Sequence, residues 1–307
     1  MRGMPLLSMS TSDTVMNTSY LTVVPQPPLA DYIAGIWIQQ AGVVASHADN
    51  SPTRVVPTGV AEMTFQFGDP MWELGMGAMP RSTFNGQKTR FKEYRATGTT
   101  GLLIVRFKPW AAAAFLPQPL HELEDLNVDL ATLVDGELVD RLSDALLHAG
   151  FDSARIALVE GFLLTLLRTY NARLDPVARR AVHHIVDAKG TLRIGHLSEH
   201  LGLGLRQFQQ RFRAGVGLTP KGFSSIVRFQ SALADSASYQ DTYYDQSHFI
   251  HASRRLVGVT PTALQALRRA SALGCHFNRP AHFYNTVYLR PDYDDSVRQS
   301  ALERRES

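Results

Sequence analysis

The spacing of apolar residues changes once along this chain, and this change limits the fold more than any other feature of the sequence. At residues 60–67, apolar and polar residues alternate one by one, as in a β-strand with one buried face. Residues 102–107 form a nearly unbroken apolar run, which is typical of a buried strand. After residue 111 the spacing becomes three and four, which is typical of amphipathic helices. The sequence therefore predicts an α+β chain with the β-structure first.

The same patterns divide the chain into segments. Residues 1–19 are predicted to be a flexible tail, and residues 20–110 a β-rich domain resembling a small barrel or sandwich. Residues 111–172 are predicted to form a helical hairpin, and residues 176–270 a basic helical module. Residues 271–307 are a C-terminal extension without an assigned role. The outer face of the hairpin is either a dimer seam or a surface packed on the chain's own β-domain, and spacing leaves both open. Asp175 and Pro176 predict a helix start, with the aspartate as the cap.

Charge is distributed unevenly between these segments. The chain has 307 residues and a formal net charge of +3. Residues 176–270 hold 13 Lys and Arg against 5 Asp and Glu, a net charge of +8, so the rest of the chain carries −5. Such a basic module indicates either a polyanionic partner or a solvated basic face, and charge alone does not separate the two.

Cysteine and histidine usage argue against several classes of protein. Cys275 is the only cysteine, which excludes internal disulfides, cysteine-built zinc sites and iron–sulfur clusters. His47 is the only histidine between residues 20 and 110, so we expect no metal centre, no cofactor and no enzymatic activity there. No apolar run approaches the roughly 18 residues of a membrane span, and no secretory signal is evident. The expected location is the cytoplasm.

Residues 192–220 predict two short helices joined by a tight turn. Leu197 and Leu201 mark the first helix, and Gly202 suits the left-handed conformation that ends it. The second helix begins near Leu205. Such a pair is a helix-turn-helix, whose second helix fits the major groove of DNA.

The second helix carries the residues suited to reading bases. Its face opposite Phe208 and Phe212 carries Arg206, Gln209, Gln210 and Arg213. Arginine makes bidentate contacts to guanine, glutamine makes them to adenine, and both contact phosphates.

Two stretches of the basic module resemble AraC/XylS-type transcriptional regulators. The first contains Arg-Gln-Phe-Gln at residues 206–209 and ends in Gly-Leu-Thr-Pro at residues 217–220. The second contains Tyr-Tyr-Asp-Gln-Ser-His-Phe-Ile at residues 243–250 and ends in Gly-Val-Thr-Pro at residues 258–261. Two such motifs in order make the resemblance specific. It implies an all-α domain with two helix-turn-helix units, at residues 192–220 and 233–261, on either side of a linker helix at residues 221–232.

The β-rich domain is similar to the cupin-like sensor domain found ahead of such regulators. The similarity lies in Arg-Val-Val-Pro at residues 54–57, Gly-Gln-Lys-Thr-Arg at residues 86–90 and Val-Arg-Phe-Lys-Pro at residues 105–109. It implies a domain that senses a small molecule or mediates dimerisation.

The resemblance also implies which residues contact DNA. Base-facing roles fall to Arg206, Gln209 and Gln210, and phosphate roles to Arg211 or Arg213. In the second unit the corresponding positions are Gln246, Ser247, Ile250 and His251, and Gln207 and Arg254 complete the predicted interface. The implied partners are double-stranded DNA, a small-molecule effector, a second copy of the chain and RNA polymerase.

The second unit departs from the family pattern. Ser253 stands where the family has a buried aromatic residue, and the stretch from Pro220 to Tyr243 is shorter than usual. Losing a core aromatic typically costs about 3–5 kcal/mol. We therefore expect an effector-responsive, sequence-specific transcriptional regulator whose first unit carries most of the base recognition. The alternative is a ligand- or protein-binding module whose DNA-binding domain has decayed.

Overall fold

The structure is a computed structural model, and it describes residues 18–41, 52–170, 174–234 and 246–264. Strands come first and helices follow, so the α+β class predicted from the sequence is confirmed. Residues 18–41 and 52–129 are called the sheet-rich region below, and residues 174–234 and 246–264 the helical region.

The sheet-rich region contains two antiparallel sheets. The described strands are β1 (Thr18–Val23), β2 (Ile33–Ala41), β3 (Thr53–Val55), β4 (Glu62–Gln66), β5 (Met71–Glu73), β6 (Gly77–Ala78), β7 (Ser82–Asn85), β8 (Lys92–Ala96), β9 (Thr100–Phe107) and β10 (Asn127–Asp129). One sheet has the order β1-β2-β9-β4-β7-β10 and the other β3-β8-β5-β6. Within the described ranges neither sheet closes on itself, so of the two architectures expected from the sequence, a small barrel or a sandwich, a closed barrel is not seen.

Strand β4 is buried on both of its faces. Because successive side chains of a strand point to opposite faces, Met63 and Phe65 enter the hydrophobic core, while Glu62 lies on the other face. There Glu62 is bonded to Arg106 of β9. The alternation that predicts this strand therefore separates an apolar layer from a polar one.

The helical hairpin consists of α1 (Gly136–His148) and α2 (Asp152–Tyr170). The predicted segment 111–172 also contains short 3₁₀ turns and strand β10 before the hairpin begins. Helix α2 packs its buried face on the core of the six-stranded sheet, where the rings of Phe162 and Phe65 meet edge-to-face at 5.9 Å. Phe151 and Leu158 are exposed on the hairpin. One face thus covers the chain's own sheet, and a dimer seam on the other face stays a prediction.

Five helices make up the described helical region. They are α3 (Pro176–Asp187), α4 (Ile194–His200), α5 (Leu205–Val216), α6 (Pro220–Ala234) and α7 (Gln246–Val257). Asp175 caps α3 as predicted, since its Oδ1 accepts hydrogen bonds from the N–H groups of Val177 and Ala178 at 2.7 and 3.3 Å. The predicted linker helix corresponds to α6. The predicted start of the second unit, residues 235–245, lies outside the described residues.

The two Gly-x-Thr-Pro motifs, called the glycine corners below, adopt the same local structure. Gly217 follows α5 with φ +90°, and Gly258 follows α7 with φ +82°, a left-handed conformation that glycine adopts without strain. The hydroxyl oxygens of Thr219 and Thr260 then accept hydrogen bonds from backbone N–H groups three residues later, at 3.0 and 3.3 Å. In both corners glycine ends one helix and threonine caps the next helical turn.

A second hydrophobic core joins the two regions. It combines apolar residues of all five helices with Val56, Trp110 and Ala111 of the sheet-rich side. The helical region is therefore completed by side chains from the first half of the chain.

Candidate functional site

Helix α5 has one buried and one exposed face. Phe208, Phe212 and Val216 are fully buried in the second core. The exposed face of α5 is formed by Arg206, Gln207, Gln209, Gln210 and Arg213. All the base-facing residues predicted for the first unit therefore lie on solvent-accessible surface. No other helix or strand in the described part of the chain covers them.

The local sequence explains where α5 begins and how it is rotated about its axis. Gly202, at φ +70°, allows the turn after α4, and α5 starts at Leu205. The ring of Phe212 meets that of Phe223 on α6 at a centroid distance of 5.8 Å. Aromatic contacts of this kind fix the rotation of α5 and thereby the direction of its exposed face.

Arg211 makes a contact that its predicted phosphate role does not include. Its Nε and Nη2 atoms donate to Oδ2 and Oδ1 of Asp175, each at 2.8 Å. Burial raises the pKa of Asp175, but the hydrogen bonds from Arg211 and from the N–H groups of Val177 and Ala178 outweigh it, so this pKa lies below its ordinary value. Arg211 is thus held against α3, and the sequence reasoning identified Asp175 only as a helix cap.

Arg213 is the exposed cation at the other end of this face. Its Nη2 atom lies 3.7 Å from Oε2 of Glu124, and its side chain stays about half exposed. A pair this open to water contributes little stability, so Arg213 is available to a phosphate. Of the two predicted phosphate contacts, Arg213 fits the role better.

The exposed face of α7 carries most of the predicted second-unit residues. Ser247, His251 and Arg254 are exposed, and Ile250 is half-buried. The side chain of Gln246 lies outside the described residues. Phe249 is buried on the inner side of α7, where its ring lies 6.0 Å from that of Phe229 on α6.

Ser253 occupies the position where the family resemblance implies an aromatic residue. Its side chain is fully buried, and its hydroxyl donates a hydrogen bond of 2.7 Å to the carbonyl oxygen of Val259 in the second glycine corner. The hydroxyl is therefore satisfied, and it ties α7 to the corner that follows it. The predicted loss from the missing aromatic is thus offset by a contact that the sequence pattern did not reveal.

A buried polar cluster lies between the two sheets. It consists of Glu62, Glu73, Lys88, Lys92 and Arg106. Arg106 pairs with Glu62 at 2.5 Å, and Lys92 pairs with Glu73 at 2.6 Å. Polar residues at alternate positions of a buried strand are the sequence signal that marks such a layer, and our sequence reasoning did not use it.

Burial governs protonation in this cluster. Lys88 is only 8% exposed, and burial lowers the pKa of its ammonium group, although Glu62 and Glu73 partly offset this effect. Burial raises the pKa of Glu62, but Arg106 and Lys88 outweigh it and leave the pKa below its ordinary value. Glu62 is therefore ionised. Chemically, the cluster is an interior layer of charges that pair with one another.

Neither a metal-binding cluster nor a membrane-spanning helix is found in the described part of the chain. In the described part of the chain, no group of three or more His, Cys, Asp or Glu side chains is arranged to hold a metal ion. The described helices likewise include none with the length and apolar character needed to cross a bilayer.

Comparison with known proteins gives a family match for the sheet-rich region. Residues 21–129 match a family described as a domain of unknown function (DUF6597). No curated protein matches the chain. Among solved structures the chain is similar to one titled as the crystal structure of the AraC-like transcriptional activator CuxR, with 16% identity, a TM-score of 0.23, and coverage of 72% of this chain and 89% of that chain. At this TM-score the likeness assigns neither a fold nor a function to this chain.

Proposed function

We propose that this chain is a sequence-specific DNA-binding transcriptional regulator in which α5 enters the major groove. The main support for the proposal is that α5 has one fully buried aromatic face and one exposed face of arginine and glutamine. Arginine and glutamine are the residues that read guanine and adenine edges. A helix whose opposite face is packed into a hydrophobic core presents them in fixed positions.

The dimensions of α5 agree with this role. Its 12 residues span roughly 18 Å at 1.5 Å per residue, and the major groove is about 12 Å wide. Arg206, near the N-terminal end, is placed to contact base edges, while Arg213 is placed to contact a phosphate.

We assign α7 to a second helix-turn-helix unit with a smaller share of base recognition. The similar geometry of the two glycine corners supports a repeated unit, with α6 as the linker helix. The exposed face of α7 offers Ser247, His251 and Arg254 to DNA. Serine and histidine give less base discrimination than the bidentate arginine and glutamine of α5, so we expect the first unit to dominate.

The sheet-rich region is proposed to be a cupin-like sensor that responds to a small-molecule effector. The buried polar cluster supports this, because fixed charges between two sheets suit a polar ligand. The exposed hairpin residues Phe151 and Leu158 support a homodimer through this surface. RNA polymerase as a partner, a cytoplasmic location and the absence of enzymatic activity complete the proposal.

The experiment is selection of bound duplexes from a random-sequence pool by the full chain, followed by affinity measurements on the selected duplex. We expect a defined sequence to emerge and its binding to persist near physiological salt. Arg206→Ala should weaken this binding, while Arg141→Ala, which removes an equally exposed charge from α1, should not. Selection of no preferred sequence, with binding that disappears near physiological salt, would instead support the alternative of a ligand- or protein-binding module with a decayed DNA-binding domain.

A further inference from the structure

The end of α7 is held by a residue of the sheet-rich region. Nη1 of Arg54 donates a hydrogen bond of 2.8 Å to the carbonyl oxygen of Val257, the last residue of α7. The last carbonyls of a helix have no partner inside the helix and carry its partial negative charge. A guanidinium at this position therefore satisfies an otherwise unpaired acceptor and stabilises the helix end.

The guanidinium is itself held in place from two other sides. Its Nε and Nη2 atoms donate to Oε1 of Glu93 at 3.1 and 2.6 Å. It also lies 4.2 Å above the ring centroid of Phe91. A planar guanidinium fixed by a carboxylate and an aromatic ring has little rotamer freedom left, so the position of Arg54 is set before α7 meets it.

Gly258 lets α7 approach this group closely. A Cβ atom at Gly258 would lie 2.5 Å from Cε1 of Phe91 and 2.9 Å from Nη1 of Arg54. The second glycine corner therefore sits directly against the ring and the guanidinium, where only glycine fits.

The same stretch of chain also contacts α6. Nε2 of Gln230 donates a 2.7 Å hydrogen bond to the carbonyl oxygen of Pro57, and Gly59 lies against the ring of Phe223. Residues 54–59 thus contact both α6 and α7, the helices on either side of residues 235–245. This arrangement fits a second unit whose position is set from outside the helical region.

We propose that Arg54 is a positioning residue for DNA binding: held by Glu93 and Phe91, it fixes the end of α7 and so the placement of the second reading helix. This inference rests on the proposed function. It assigns to the sheet-rich region the role of setting how the second unit is presented relative to the first. Arg54 does not contact DNA in this proposal.

The test compares full-length Arg54→Ala, Arg54→Lys and Arg95→Ala with the wild-type chain. Arg95 is a matched control, because it is an exposed arginine on β8, the strand that carries Glu93. The first readout is hydrogen exchange of the α7 amides. We expect faster exchange in Arg54→Ala while the α5 amides stay unchanged, partial recovery in Arg54→Lys, and wild-type behaviour in Arg95→Ala. Unchanged α7 exchange, or equal loosening of α5, would overturn the inference.

The second readout is binding to the duplex that the wild-type chain selects. Arg54→Ala should bind it roughly tenfold more weakly, near the lower end of the loss expected for one base contact of the second unit. Footprinting should lose only the protected segment of the second unit. The dependence of affinity on salt should weaken at the same time, because the phosphate contacts of that unit are lost together with its base contacts. Weaker binding with a complete second-unit footprint and wild-type α7 exchange would mean that Arg54 contacts DNA directly and would refute a positioning role.

A milder variant keeps the test decisive if Arg54→Ala does not fold. Phe91→Leu removes the ring beneath the guanidinium and should give the same changes in α7 exchange and footprint, but smaller. Wild-type exchange and footprint in both Phe91→Leu and Arg54→Lys would overturn the inference. Failure of the proposed function would appear separately, as the absence of any selected duplex for the wild-type chain.

Discussion

Arg211 on α5 donates two hydrogen bonds of 2.8 Å to Asp175, the residue that caps α3. The carboxylate of Asp175 thus caps α3 and also binds α5, the helix proposed to read DNA. The pair lies beside the buried face of α5, and the side chain of Arg211 stays 37% exposed. Its effect on DNA binding is therefore indirect, through the orientation of α5.

Replacing Asp175 should lower stability in two separable steps. Asp175→Ala removes both the cap and the pairing with Arg211, and the cap alone is worth about 1 kcal/mol. Asp175→Asn keeps a good capping residue and loses only the charge, so its loss in the free energy of unfolding should be smaller. Urea unfolding at neutral pH measures both. Equal losses for the two variants would mean that the cap contributes nothing.

The same residue predicts a pH dependence. The pKa of Asp175 is lowered in the folded chain, so its contribution is complete above its ordinary pKa and is lost as the pH falls through the lowered value. The difference in unfolding free energy between wild type and Asp175→Asn should be constant above about pH 5 and shrink towards pH 2. A difference that does not vary with acidification would contradict the pairing with Arg211.

Base recognition should be unequal between the two helices. Arg206→Ala and Gln209→Ala should each weaken binding to the selected duplex by about 1–3 kcal/mol, the range for one bidentate base contact. Ser247→Ala and His251→Ala should each cost less. Fluorescence anisotropy with labelled duplex gives these affinities. Losses as large for α7 as for α5 would refute the dominance of the first unit.

Two glycines with similar backbone angles, Gly202 and Gly217, allow backbone strain to be separated from steric crowding. Gly202→Ala should cost only the left-handed strain, about 1–2 kcal/mol, because its Cβ would meet nothing within 4 Å. Gly217→Ala adds contacts of 3.2 Å with Cγ of Gln87 and 3.3 Å with Cβ of Leu120, and should cost more. Thermal unfolding ranks the variants. A smaller loss at Gly217 than at Gly202 would contradict the close packing of the first corner.

Lys88 predicts a second pH dependence of stability. Because burial lowers its pKa, the unfolded chain binds more protons than the folded chain, and stability rises as the pH approaches 10.5, its ordinary pKa. Lys88→Met lacks this titration, so the wild-type chain should gain free energy of unfolding relative to Lys88→Met between pH 7 and pH 10. Unfolding of both chains at the two pH values measures this gain. A difference between the two chains that stays constant would contradict the lowered pKa of Lys88.

Ser253 should tolerate neither a smaller nor a larger residue. Ser253→Ala leaves the half-buried Val259 carbonyl without its 2.7 Å hydrogen bond, a loss of about 0.5–1.5 kcal/mol. Ser253→Phe introduces the aromatic residue that the sequence resemblance implies, but this residue has to enter a filled site, at a cost of about 1–3 kcal/mol. The free energies of unfolding of both variants test these expectations. A stabilised Ser253→Phe would mean that the site is incomplete in this chain.

Local structure could be predicted from the sequence where one short stretch determines it. The Asp175 cap, the left-handed Gly202 and the buried Phe208 and Phe212 each depend on neighbours within a few positions, and the structure confirms them. The exposure of Arg206 follows from the same helical period. The roles of these residues in DNA binding remain predictions.

Long-range pairings could not be predicted in the same way. Arg54 and Val257 are separated by 203 positions, and nothing in the spacing of either segment points to the other. The pairing of Arg211 with Asp175 spans 36 positions, and the position of Arg211 on its own helix does not indicate it. The open sheets likewise depend on strand order, which alternation of side chains does not determine.

The placement of Val56 and Trp110 in the core of the helices has a consequence for biosynthesis. A ribosome makes the N-terminal half first, so both apolar side chains emerge long before the aromatic residues that cover them. Until α7 is released, the nascent sheets carry an uncovered apolar surface of the kind that chaperones bind. The second core is therefore completed only after α7 has been translated, and products truncated before α7 should aggregate rather than accumulate as a free first half.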